Sequence, residues 1–117
     1  MGLLNVLNAT VQCPHCGREY EARVQFNFGA TRQLEYRLGD ILAWGYNEIG
    51  VPRLPRVKAY GMIENSEYPK CGVTLETYKE NEFDVFIEND VPISVVPMAV
   101  YEDYLVNPKT KGDYKVL

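Results

Sequence analysis

The sequence predicts a mostly β fold, a single domain organised as an antiparallel sheet, and three observations carry that reading. Tyr20, Ala22, Val24, Phe26 and Phe28 alternate strictly with Glu19, Glu21, Arg23, Gln25 and Asn27, the period of a strand with one apolar face. Nine tyrosines and four phenylalanines against one tryptophan suit pleated, half-buried surfaces. Two short turn motifs, Cys13-Pro14-His15-Cys16-Gly17 and Tyr68-Pro69-Lys70-Cys71-Gly72, each sit between strand-like runs. A chain of 117 residues, 46% hydrophobic and 24% charged, is sized for one core.

Leu3 to Gln12 is apolar, carries β-branched residues and ends at the first motif, so residues 3–28 read as strand, turn and strand. Gly29 breaks the alternation. Leu34, Tyr36 and Leu38 then alternate with Glu35 and Arg37, and Gly39-Asp40 suits a type II′ turn that returns Ile41–Trp44 antiparallel. A short helix capped by Asp40 is the competing reading. Residues 30–55 thus form an inserted hairpin and loop, the loop marked by Gly45, Gly50, Pro52 and Pro55.

The second half repeats the first. Val57–Ile63 is a strand, the second motif follows, and Val73, Leu75 and Thr77 alternate with Thr74, Glu76 and Tyr78, giving a second hairpin over residues 56–80. Lys79–Glu82 makes a turn. Residues 83–117 hold the C-terminal strands and tail: Phe83, Val85 and Ile87 alternate with Asp84, Phe86 and Glu88, then Asn89-Asp90 and Pro92 punctuate before Ile93–Val96. Pro97 is placed to start a short helix through Leu105, with Met98, Tyr101 and Leu105 on one face and Asn107-Pro108 stopping it. The last ten residues read as a loosely held tail.

Each turn motif has the form of a zinc knuckle. Cys-x-x-Cys sets two sulfurs at tetrahedral spacing, and the following glycine permits the turn that aims backbone N–H groups at them. Cys13, Pro14, Cys16 and Gly17 match the knuckle fully; Pro69, Cys71 and Gly72 match it with Tyr68 in the first ligand place. The pair resembles the plan of zinc ribbons and the rubredoxin-like fold, over about 70 residues, with a longer stretch between knuckles than compact ribbons use. The resemblance implies a zinc ion held by Cys13, Cys16 and Cys71, with the fourth ligand open between Tyr68, His15 and Glu67. Tyr68 is a poor ligand because its phenol must lose a proton whose ordinary pKa is about 10. The alternative is a ribbon that has lost its ion, with Tyr68 packed over three buried thiols.

Cys-Pro-His-Cys also resembles the active-site tetrapeptide of thioredoxin-fold disulfide oxidases. There a following helix lowers the pKa of the first cysteine. Residues after Cys16 run at period two, which sets that reading aside. The single histidine, His15, excludes most Ser/His/Asp and Cys/His arrangements, and neither a phosphate-cradling glycine loop nor HExxH is present. The chain is therefore read as non-catalytic.

Charge is unevenly spread. Residues 1–60 hold seven Lys/Arg and five Asp/Glu, while residues 61–117 hold five and eleven. A net charge of −4 argues against a general nucleic-acid binder, although Arg53, Arg56 and Lys58 beside Tyr60 form a small basic-aromatic cluster that would suit an accessory protein of a nucleic-acid machine. Glu76, Glu80, Glu82, Asp84, Glu88 and Asp90 face a single Lys79, the pattern of a docking surface for a basic protein, with Tyr78 and Phe86 as aromatic anchors. A small, acidic chain of this kind is similar in build to the immunity proteins that bacteria encode beside polymorphic toxins, which implies an inhibitor or antitoxin that occludes a toxin's active site. No apolar run approaches a membrane span, and three cysteines with two in a knuckle suit a reducing cytoplasm. A monomer or weak dimer is expected.

Overall fold

The computed structural model describes residues 4–12, 19–45, 48–63, 82–104 and 113–117. Among these, the chain is mostly β. The strands are β1 (Asn5–Gln12), β2 (Glu19–Phe26), β3 (Gly29–Ala30), β4 (Glu35–Arg37), β5 (Glu48–Ile49), β6 (Val57–Ile63), β7 (Glu82–Glu88), β8 (Val91–Pro97) and β9 (Tyr114–Val116). Seven of them form one sheet in the order β4-β1-β2-β6-β7-β8, with β9 also on β6, while β3 and β5 make a small second sheet.

The period-two pattern decides which way each strand faces. Leu7, Ala9 and Val11 of β1, Ala22, Val24 and Phe26 of β2, Val57 and Ala59 of β6, and Phe83, Val85 and Ile87 of β7 are all buried in one core cluster. Burying aliphatic and aromatic side chains of this size contributes roughly 1.5–3 kcal/mol each. The sheet curls until β8 approaches β1. The strands pack tightly at Gly61: a Cβ there would lie 2.6 Å from Val24 Cγ1 and 3.1 Å from Val85 Cγ2, so no side chain fits between β2 and β7 at that point.

The N-terminal hairpin is as expected: β1 and β2 pair antiparallel from Asn5–Phe26 to Gln12–Glu19, leaving residues 13–18 as the connection at its tip. A buried amide organises the segment that follows. Asn5 Nδ2 donates to Phe28 O at 3.2 Å and Ala30 O at 2.9 Å, while its Oδ1 accepts from the backbone of Arg32 at 3.4 Å and Leu34 at 3.2 Å. Every polar atom of a fully buried side chain is thereby satisfied, and the loop is fastened to β1.

Several expectations are corrected. The sheet is not purely antiparallel, because β4 pairs parallel to β1, with Tyr36 beside Leu7. Gly39-Asp40 does not open a hairpin: Asp40 closes its own turn by accepting the Arg37 N–H at 2.8 Å, and Ile41–Trp44 forms no strand. Its backbone is drawn elsewhere, Leu42 N–H to Asp90 O at 2.8 Å and Ala43 N–H to the Tyr36 hydroxyl at 3.0 Å. The helix expected over 97–105 is a single 3₁₀ turn, Tyr101–Tyr104, because Pro97 is still inside β8. Of the last ten residues, those described are not a loose tail, since β9 pairs with β6 at Val57–Val116 and Ala59–Tyr114, while residues 108–112 lie outside the described ones. The strand over 73–78 and the turn at 79–81 lie outside the described residues, and Glu82 already belongs to β7.

Gly61→Ala is expected to destabilise the chain by about 1–3 kcal/mol, the usual cost of overpacking a close-packed interior. Urea denaturation checks it; an unchanged midpoint would mean that the strands can part at Gly61 without loss.

Candidate functional site

Two regions bear on function, and both are set by β6. The first is the end of the sheet where β1 stops at Gln12 and β2 starts at Glu19. β6 runs antiparallel to β2, with Gly61 opposite Phe26 and Ile63 opposite Val24, so it heads toward that same end. β7 returns from it, Glu82 lying opposite Met62. The interval with Cys13, His15 and Cys16 and the interval with Glu67, Tyr68 and Cys71 thus leave the sheet at one end, from the neighbouring strands β2 and β6. These six residues lie outside the described ones, so no coordination geometry follows. Among the described residues no cluster of His, Cys, Asp or Glu is gathered for a metal.

The second region is the outer face of β6 and β7, where the 3₁₀ turn packs against the strands and β9 pairs alongside β6. Tyr60 of β6 stands opposite Asp84 of β7. Tyr60 donates its hydroxyl to Glu82 Oε1 at 2.5 Å, and Tyr104 donates a short hydrogen bond to Asp84 Oδ1. The Ala99 N–H donates to Asp84 Oδ2 at 3.2 Å. The two phenol rings meet edge to face at 5.6 Å, a favoured aromatic arrangement. Lys58, itself buried, reaches Asp103 Oδ2 at 2.5 Å and lies 5.4 Å from the Tyr104 ring, while Lys115 reaches Asp103 Oδ1 at 3.1 Å. Glu82 Oε2 is buried with no hydrogen-bond partner among the described residues.

The electrostatics follow from these contacts. Burial first, then the hydrogen bond to Asp84, pushes the Tyr104 phenol far above its ordinary value, so it stays a neutral donor. The hydrogen bond from Lys58, followed by that from Lys115, holds Asp103 below its ordinary 3.8, so it stays an anion between two cations. This face clasps the C-terminal segments onto the sheet. It brings together donors already committed to acceptors rather than a nucleophile and a base.

The expected partner-binding residues divide accordingly. Glu76, Tyr78 and Glu80 lie outside the described residues. Glu82 and Asp84 are only 7% and 1% exposed, and their carboxyls face Tyr60 and Tyr104 rather than solvent. Phe86, Glu88 and Asp90 keep exposed area on the β7–β8 hairpin. Arg56 lies 3.9 Å from Glu88 and 5.8 Å from the Phe86 ring. The basic-aromatic cluster is also split. Arg53 is exposed, Arg56 leans on Glu88 and Phe86, and Lys58 and Tyr60 belong to the clasp.

Sequence reasoning missed Asp103, Tyr104 and Lys115. The available signal was the outer row of β6, where Lys58 and Tyr60 at alternate positions need polar partners once β7 lies alongside. Among the described residues, no helix is long and apolar enough to cross a membrane.

The lowered Asp103 pKa fixes the sign of a pH effect. Its contribution is fully present above 3.8 and is lost as pH falls through the lower folded-state value. The stability gap between the native chain and Asp103→Asn is therefore expected to be widest near neutrality and to close in acid. Urea midpoints across that range check it, and a gap of constant size would contradict the assignment.

No known family model matches the chain, and no curated protein or solved structure is detectably similar to it.

Proposed function

We propose that this chain is a non-catalytic protein-binding module on a ribbon-like β scaffold, fastened at one end by zinc, which inhibits a basic protein partner in the manner of an immunity protein. The observation that carries the scaffold is the common exit of both cysteine-bearing intervals from β2 and β6 at one end of the sheet. Three thiolates make a soft donor set suited to zinc, and Cys13, Cys16 and Cys71 would hold it, with Tyr68, His15 or Glu67 open as the fourth ligand. Bound there, the ion would supply cross-linking rather than catalysis.

The binding role rests on charge. The chain carries −4 overall, and Glu88 and Phe86 remain partly exposed on the β7–β8 hairpin after Glu82 and Asp84 are taken into the clasp. Acidic groups around a partly exposed aromatic suit a basic protein surface, accelerating encounter and fixing orientation.

Purified protein is expected to hold one zinc per chain and Cys71→Ser to lose it. The same preparations, titrated with a basic toxin domain, are expected to show binding that weakens with salt and falls at least tenfold, about 1.4 kcal/mol, in Glu88→Lys. Zinc without binding would sink the inhibitor role. Binding without zinc would sink the metal-fastened scaffold.

A further inference from the structure

One edge of β6 is taken by β7, and the other is shared by two strands in turn. On that second edge β2 pairs with Gly61, Met62 and Ile63, while β9 pairs with Val57, Lys58 and Ala59. β2 ends at Phe26, opposite Gly61, and the chain then enters β3 of the small second sheet. The half of the edge nearer Val57 is therefore left for the C-terminal strand.

Each residue of 113–117 has its own fitting there. Asp113 accepts the Tyr60 N–H through its carbonyl at 2.9 Å, and its Oδ1 accepts from Asn27 Nδ2 at 3.4 Å. The Tyr114 ring meets Phe28 edge to face at 5.1 Å. Lys115 reaches Asp103 at 3.1 Å, Val116 lies opposite Val57, and the Leu117 N–H donates to Arg56 O at 3.0 Å. The backbone of residues 56–60, with Asn27, Phe28 and Asp103 beside it, is thus one continuous strand-accepting site. It reads, in order, an acidic, an aromatic, a basic and an aliphatic residue.

β9 is held lightly. Val116 and Leu117 are each 51% exposed, so Tyr114 is the apolar anchor that packs on the core. A three-residue strand with one such anchor belongs to the least protected part of a fold. When it opens, the Tyr60 N–H and the Arg56 carbonyl lose their partners, and a bare strand edge pairs with an extended segment that fits it. The segment shown to fit is 113–117 itself, and a second copy of the chain carries the same one.

We propose that this half of the β6 edge is a strand-binding site, filled within one chain by its own β9 and able to take the β9 of a second copy, so that two chains exchange ends. Asp103 stays on its own sheet, held by Lys58 while the neighbouring Tyr104 is held by Asp84, so an exchanged Lys115 meets the same carboxylate. The contacts of the closed chain are remade in the pair, which makes such exchange a low-cost route to a dimer. A strand tethered to its own site has an effective concentration on the order of millimolar, so exchange gains ground as the protein approaches that concentration. The proposal rests on neither the zinc site nor the inhibitor role.

Crosslinking between full-length chains tests it. Val57 and Val116 lie directly opposite, within the reach of a disulfide. Chains carrying Val57→Cys and chains carrying Val116→Cys are unfolded together in urea, refolded at high concentration and oxidised. Each chain holds one of the two introduced thiols, so a link between positions 57 and 116 arises only between chains. Peptide mass mapping is expected to find that link in a species of twice 13.4 kDa. Its yield is expected to fall roughly tenfold when the mixture is refolded at about one-tenth of the concentration, as mass action requires. A mixture of Val24→Cys and Ile63→Cys chains, which pair in the β2–β6 join, is expected to give no link between chains. The native chain, refolded at the same high concentration, is expected to show the doubled mass by sedimentation, which keeps the test decisive should Val57→Cys not refold. A single-chain mass for the native protein overturns the proposal. So does a missing 57–116 link between refolded chains, or a 24–63 link of equal yield.

Discussion

Among the described residues, three pairs between β2 and β6 join the two halves of this molecule in one sheet. Val24, Gln25 and Phe26 lie opposite Ile63, Met62 and Gly61, and this pairing is the direct β-sheet connection between the N-terminal hairpin and the β6–β8 region. The join is tight because Gly61 has no side chain, which lets Val24 and Val85 close over it. It also aims β6 at the end of the sheet where the first knuckle motif departs. Close packing at Gly61 and the shared direction of the two strand ends thus follow from one register.

On its outer face β6 makes a second demand. Lys58 and Tyr60 point away from the core, and a cation and a phenol there need partners if they are to be covered. Asp103, Glu82 and the Tyr104 ring supply them, and the C-terminal segment is held to the sheet as a result. Residues that looked like surface charge therefore work as fasteners. Removing one partner of such a buried pair leaves the other uncompensated, which costs more than the pair itself contributes.

Much of this was legible in the sequence. Alternation located β2 and β7 nearly to the residue, because a half-buried strand must alternate wherever one face meets the core, and the apolar runs at 3–12 and 57–63 located β1 and β6. Less legible were the contacts of the connecting segments. Gly39-Asp40 has the composition of a hairpin turn, but Asp40 satisfies Arg37 while Leu42 and Ala43 find acceptors on distant elements. Likewise Pro97 is compatible with a helix start, and the ladder of β8 claimed it first. The burial of Glu82 and Asp84 was hidden because acidic residues are read as solvent-facing unless a donor is in view, and Tyr104 lies far along the chain. Cysteine spacing carries the resemblance to a zinc knuckle but not the relative position of the two motifs; the β1–β2 and β2–β6 registers bring the flanking strand ends to one end of the sheet.

Proximity of the two motifs can be measured without metal or partner. In Cys13→Ser, two thiols remain, Cys16 and Cys71. A disulfide between them requires Cα atoms roughly 4.4–6.8 Å apart. Mild oxidation of dilute, metal-free protein followed by peptide mass mapping is predicted to give an intramolecular link between residues 16 and 71. Chains that keep both thiols reduced, or that link only to other chains, would contradict the account.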